Sequence, residues 1–196
     1  EVARYLIGGR IARYFIDPPF HFSYFGFEWV RPWPGNGLFI HFGLLAVAAA
    51  LITLGVLYRL AAFAFFLGFA YVFLLEQALY LNHFYLIVLL AGLLCVVPAH
   101  HAFSIDAWRR RGPRPVPLWS IALLRAQIGL VYFFAGVAKL NPDWLHARPL
   151  VLWLEARSTL PIVGPILAED WVAWVMSYGA IALDLGAWPL LSSRRT

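Results

Sequence analysis

The chain is poor in charge and nearly devoid of cysteine. Asp, Glu, Lys and Arg make up 13% of its 196 residues, about half the ~25% usual for a soluble domain. That shortfall excludes a well-solvated globular surface. It also excludes nucleic-acid binding, because no soluble basic domain is present to carry the contacts. The single cysteine, Cys95, lies in an apolar run, so neither a disulfide framework nor a cysteine metal cluster is available within the chain. No HExxH-type pair occurs, and His100-His101 sit in an arginine-rich loop, so no metal is expected. Internal repeats and low-complexity runs are lacking as well. What the chain has instead is hydrophobicity: 62% of residues are apolar or aromatic, and the mean hydropathy is +0.74. These values imply an all-α, polytopic transmembrane helical bundle, multi-pass in the membrane and in contact with lipid.

About five spans are expected, near residues 38–57, 60–80, 81–97, 118–140 and 171–191, since ~20 apolar residues cross a ~30 Å hydrocarbon core. Residues 1–37 hold no run of that length. Their Tyr, Phe, Trp and scattered Arg suit an interfacial amphipathic segment, lying on the membrane or capping the bundle. The division expected is therefore 1–37 interfacial and 38–196 transmembrane. His41, alone on an apolar helix, reads as a hydrogen-bonded packing residue.

The chain is organised around Leu118 to Trp144, LWSIALLRAQIGLVYFFAGVAKLNPDW. Arg125, Tyr132 and Lys139 recur there every seven residues, close to two helical turns, with Gly129 and Gly136 near the same stripe. An ionisable group within a span is costly and marks a functional site by default. From spacing alone the alternatives stay open. Lys139 fits a site residue or an interfacial anchor, and the glycines fit plain helix packing. Asp184, in the last span, matches Arg125 in depth on a span-by-span count, so the two are expected to form a structural intramembrane pair.

Alternating spans put Arg59, Arg109 to Arg111, Arg114 and Arg194-Arg195 on one side, which reads as cytoplasmic. Glu76, Asn82, His83, Lys139, Asn141 and Asp143 then fall at the outer ends of their spans, with Tyr132 about two turns deeper. One pocket opening to the extracytoplasmic side is expected from that convergence.

The stretches YVFLLEQALYLNH (71 to 83), PLWSIALLRAQIGLVYFFAGVAKLNPDW (117 to 144) and LDLGAWPLL (183 to 191), with HFSYFGFEWVRPWPG (21 to 35), resemble the vitamin K-dependent γ-glutamyl carboxylase family, whose bacterial members are often called HTTM proteins. The resemblance spans nearly the whole chain. It implies an enzyme that couples oxygenation of reduced vitamin K, a naphthohydroquinone, by O2 to carboxylation of a peptide glutamate with CO2. It implies that Lys139, in AGVAKL, is the catalytic base and that His83, in LNH, is catalytic too. Asn82, Tyr132 and Glu76 would line the quinone and substrate site. It also implies a bacterial inner-membrane protein with its site facing outward. In the animal enzymes two adjacent lysines stand in this motif; here the first is Ala138. The family's first span and its C-terminal extracytoplasmic domain are not in this stretch, which reads as a fragment of a longer protein. The competing readings are a non-catalytic quinone- or lipid-binding membrane module and, third, a transporter.

Overall fold

The computed structural model describes residues 2–7 and 9–192, apart from the side chains of Arg4 and Ser192. Arg194 and Arg195, part of the cytoplasmic arginine count, lie outside the described residues. The described chain is helical, with no strand. It divides into two compact units, residues 1–120 and 121–196.

The first unit is built on three consecutive helices, α2 (Gly37–Leu54), α3 (Tyr58–Leu74) and α4 (Asn82–Val96). They are preceded by a short α1 (Val2–Ile7) and one π-helical turn, Ala12–Ile16. Phe42, Leu45, Phe69, Val72, Leu75 and Phe84 form its core. The N-terminal segment supplies Tyr5, Ile11, Phe15 and Val30 to that core, and the Tyr5 ring stacks on Phe42 at 5.2 Å. The segment is therefore a cap on the bundle, the second of the two arrangements its composition allowed. Phe20, Phe25 and Trp29 remain exposed on it.

Two helices are long and apolar enough to cross a membrane by length and composition, α2 and the helix Leu118–Ala138. Only 22% and 11% of their most apolar windows are buried. Both are apolar all round and largely uncovered, so each could cross a membrane. On α2 the buried residues are Leu38, Phe42, Leu45 and Ala48, while Ile40, Leu44 and Val47 point outward.

The second expected span is corrected in length. Helix α3 stops at Leu74, not near residue 80. Glu76 is extended, with φ −149° and ψ 106°, and Gln77 N donates to Phe22 O at 2.7 Å, which ends the helical ladder. Residues 77–79 then form a 3₁₀ turn and α4 begins at Asn82. His41 is the packing residue expected, its Nε2 donating to Gly68 O at 3.0 Å.

After α4 comes a polar turn region carrying α5 (Ile105–Arg109). Asp106 caps α3, accepting from Leu57 N at 3.2 Å and Tyr58 N at 3.0 Å. Those backbone donors hold its carboxyl below the usual carboxylate range. His100 stacks on Tyr58 at 4.8 Å. Burial, with Arg110 nearby, pushes its imidazole pKa below the usual value.

The second unit takes up most of α6 (Leu118–Ala138), then α7 (Pro142–Leu145), α8 (Arg148–Glu155), α9 (Gly164–Leu167) and α10 (Asp170–Ser192). Ala147, Leu150, Leu154, Val172 and Ala173 form its small core. Against α10, helix α6 packs through its glycines. A Cβ on Gly129 would run into Trp188 Cε3 and sit 2.7 Å from its Cζ3, and one on Gly136 would sit 2.6 Å from Leu185 Cδ2. The glycines of the stripe thus form a helix–helix seam, the packing alternative that their spacing left open.

Candidate functional site

Lys139 follows the last residue of α6 and is tied to the turn there, its N–H donating to Gly136 O at 3.0 Å. Its ammonium reaches across to α10. Lys139 Nζ lies 2.5 Å from Asp184 Oδ2, and it also donates to Ala135 O at 3.3 Å. The Trp144 ring lies beneath the cation, 5.2 Å from Nζ to its centroid, within cation–π range. Asp184 is 7% exposed, so the pair is largely out of water.

Asp184 thus takes Lys139 where the depth count expected Arg125. The seam explains the difference. Gly136 lies against Leu185 and the Asp184 Cβ, and Gly129 lies against Trp188. On that register Asp184 is close to Lys139, and Arg125 sits about three turns further along α6 from Gly136. Tyr132, 38% exposed, lies between Gly129 and Gly136.

Trp144 is placed by its own loop. Asn141 caps α7, its Oδ1 accepting from Trp144 N at 3.0 Å. Trp144 Nε1 donates to Ser177 O at 3.3 Å, and Ser177 Oγ donates to Trp144 O at 2.6 Å. Trp153 meets Trp144 edge-on at 6.2 Å. An acid–base pair bordered by the Trp144 indole results.

In the first unit, Glu76 is buried and fully engaged. It accepts from His21 Nδ1 at 3.0 Å, Phe22 N at 3.1 Å and Ala78 N at 3.0 Å. Its role there is to fasten the N-terminal cap to the end of α3. Asn82 and His83 stand exposed in the first turn of α4, with the His83 ring 4.7 Å from Phe84. Phe84, Tyr5 and Leu79 wall two adjoining cavities, one reaching Glu76 and the other His83.

The HTTM domain matches the chain over residues 1–196. The chain belongs to the HTTM domain family. That family is associated with vitamin K-dependent carboxylase-related membrane proteins. No solved structure matches the chain.

Sequence reasoning missed several partners in this HTTM domain. His21, 55 residues from Glu76 in the chain, carried no local signal of that contact. Ser177 was equally silent, being one small residue in a helix. Trp144 was in view at the end of the central stretch, but only the fold turns its ring beneath Lys139.

Proposed function

We propose that the chain is a multi-pass membrane enzyme of the vitamin K-dependent γ-glutamyl carboxylase type. In this reading Lys139 is the base, His83 is a catalytic residue, and Asn82 and Tyr132 contact quinone or substrate. The observation that carries the reading is the Lys139–Asp184 pair beside Trp144. The donor set fits a reduced naphthoquinone: an amine to take a phenolic proton, a carboxylate behind it, and flat aromatic walls.

Reduced vitamin K, when bound, would supply with O2 the strong base that deprotonates a peptide glutamate at its γ carbon, where CO2 then adds. The chain's own part is proton handling. An ammonium cannot accept a proton, so Lys139 must first be neutral. Asp184 makes that possible. In this reading the 2.5 Å contact between Lys139 Nζ and Asp184 Oδ2 gives that proton a direct route to the carboxylate. The free amine then takes the hydroquinone proton, leaving Lys139 as ammonium and Asp184 as the acid. Return of the Asp184 proton to solvent resets the pair. Trp144 shields the amine from water and restores a favourable contact when it is charged again.

A second reading is favoured by the same pair taken statically. A lysine locked to a carboxylate on a neighbouring helix fastens α6 to α10, as a non-catalytic quinone- or lipid-binding module would need. Purified full-length protein supplied with a reduced naphthoquinone and O2 separates the two. Epoxide formation, lost in Lys139→Ala and partly recovered with a small added amine, supports the enzyme. Binding without turnover supports the module.

A further inference from the structure

The first unit holds an open-mouthed cavity of about 420 Å³ whose lining combines two chemistries. Tyr5, Tyr14, Tyr80 and Phe84 supply rings, and Arg10 and His83 supply hydrogen-bond donors. Arg10 comes from the N-terminal cap and His83 from the first turn of α4, so the cavity exists only because the cap folds back onto the helices. Arg10 is half-buried and makes no ion pair with any described residue. The carboxylate near this region, Glu76, is spent on His21, Phe22 and Ala78. The cation–π place on Tyr14 is taken by Arg13, at 5.8 Å, so Arg10 is not needed there.

A guanidinium is charged at every physiological pH and presents a planar fork of donors. Set in an aromatic-walled cavity without a counter-ion among the described residues, it matches a planar anion on an apolar stem. We propose that this cavity binds a carboxylate, gripped by Arg10 with His83 as a second contact, its hydrocarbon stem lying against the Tyr and Phe rings. Only the identity of that carboxylate rests on the carboxylase-type reading, under which it belongs to the glutamyl side chain of the peptide substrate. Arg10 is then a substrate-binding residue in a stretch whose composition suits the membrane surface or a cap on the bundle.

The test uses full-length protein in detergent with N-acetyl-glutamate amide as probe and N-acetyl-glutamine amide as its uncharged twin. Arg10 is labelled with an arginine-directed dicarbonyl reagent and followed by peptide mass mapping. The glutamate probe should protect Arg10 and the glutamine probe should not. Arg10→Gln should weaken binding roughly 10- to 100-fold, the worth of a hydrogen bond to a charged group, and Arg10→Lys should keep part of it. Protection on the unmutated protein decides the matter even where Arg10→Gln folds poorly. Equal protection by the glutamine probe or by inorganic phosphate, or unchanged affinity in a folded Arg10→Gln, overturns the proposal. Hydroquinone epoxidation is measured separately without peptide. Arg10-dependent binding with no epoxidation removes the enzyme reading and keeps the site. Epoxidation with Arg10-independent binding does the reverse.

Discussion

Ser177 and Trp144 hold each other twice. The serine hydroxyl donates to the Trp144 carbonyl at 2.6 Å, and the indole N–H donates to the Ser177 carbonyl at 3.3 Å. Ser177 is 0% exposed, so its hydroxyl has no water to fall back on. Ser177→Ala removes one of the two bonds, while Ala147 N still donates to the Trp144 carbonyl at 2.9 Å, so the cost is that of one ordinary hydrogen bond, about 0.5–1.5 kcal/mol. Thermal unfolding in detergent should show a lower midpoint. Fluorescence of the indole should also change, because Trp144 then keeps only its indole N–H bond to residue 177.

The α6–α10 seam should not tolerate side chains at its glycines. Gly129→Ala drives a methyl into the Trp188 ring, 2.7 Å from Cζ3 and closer still to Cε3. Overpacking of this kind costs about 1–3 kcal/mol. Gly179, where an added methyl would meet nothing within 4 Å, is the control on α10. Gly129→Ala should lower resistance to unfolding in a denaturing detergent titration, and Gly179→Ala should leave it near the parent value.

Glu76→Gln tests the clasp between the cap and α3. The amide keeps one acceptor oxygen and presents an NH₂ where the carboxylate accepted from His21 or Phe22. Facing Phe22 N it sets donor against donor, and facing His21 it forces the ring into the tautomer whose Nδ1 accepts. The expected loss is about 1–3 kcal/mol, with faster proteolysis around residues 17–30. An unchanged cleavage pattern would show that the cap is held by its apolar contacts alone.

His100 gives the turn region a pH dependence of definite sign. Its folded pKa is depressed by burial and by Arg110, so the unfolded state binds more protons in the interval below ~6.5, the unperturbed histidine value. Stability from this group is complete above that value and declines as pH falls toward the folded pKa. His100→Gln should therefore narrow the difference in melting temperature between pH 7.5 and pH 5.5. Asp106 acts in a lower window. Its depressed pKa contributes stability above ~3.9 that is lost as pH falls through the folded value.

Asp184→Asn isolates the proton-relay part of the proposed mechanism. Asparagine accepts a hydrogen bond from Lys139 but cannot take its proton. General acid–base groups contribute roughly 10²–10⁴-fold, so epoxidation should fall by about 10² or more while quinone binding persists. A variant with full turnover would reduce Asp184 to a tether.

The spans α2 and α6 were legible because composition alone marks them. The residues expected at 38–57 and 118–140 fold as Gly37–Leu54 and Leu118–Ala138. The end of α3 was not legible, because Phe22 and His21, far upstream, bind the chain at Gln77 and Glu76 and stop the helix. The partner of Asp184 was missed for a similar reason. Counting residues from the ends of two spans assumes that they start level. Helix register is set instead by side-chain volume, here Gly129 against Trp188 and Gly136 against Leu185. That slides the pairing from Arg125 to Lys139, about 14 residues, or ~21 Å at ~1.5 Å per residue. The sequence did mark Lys139 and Asp184 as charged residues of apolar stretches; that they meet depended on contacts between uncharged residues.

The early stop of α3 also matters for the lipid around the protein. Helices of 17 and 15 residues reach only about 26 and 22 Å at ~1.5 Å per residue, short of a ~30 Å hydrocarbon core. In the proposed multi-pass placement the bilayer beside α3 and α4 must dimple inward, at a cost of fractions of a kcal/mol per Å. Headgroups and water then stand closer to the midplane on that flank than elsewhere around the protein. A lipid-soluble quinone drifting in the bilayer interior would meet polar chemistry there at unusually shallow depth, and the protein should partition toward thinner membranes.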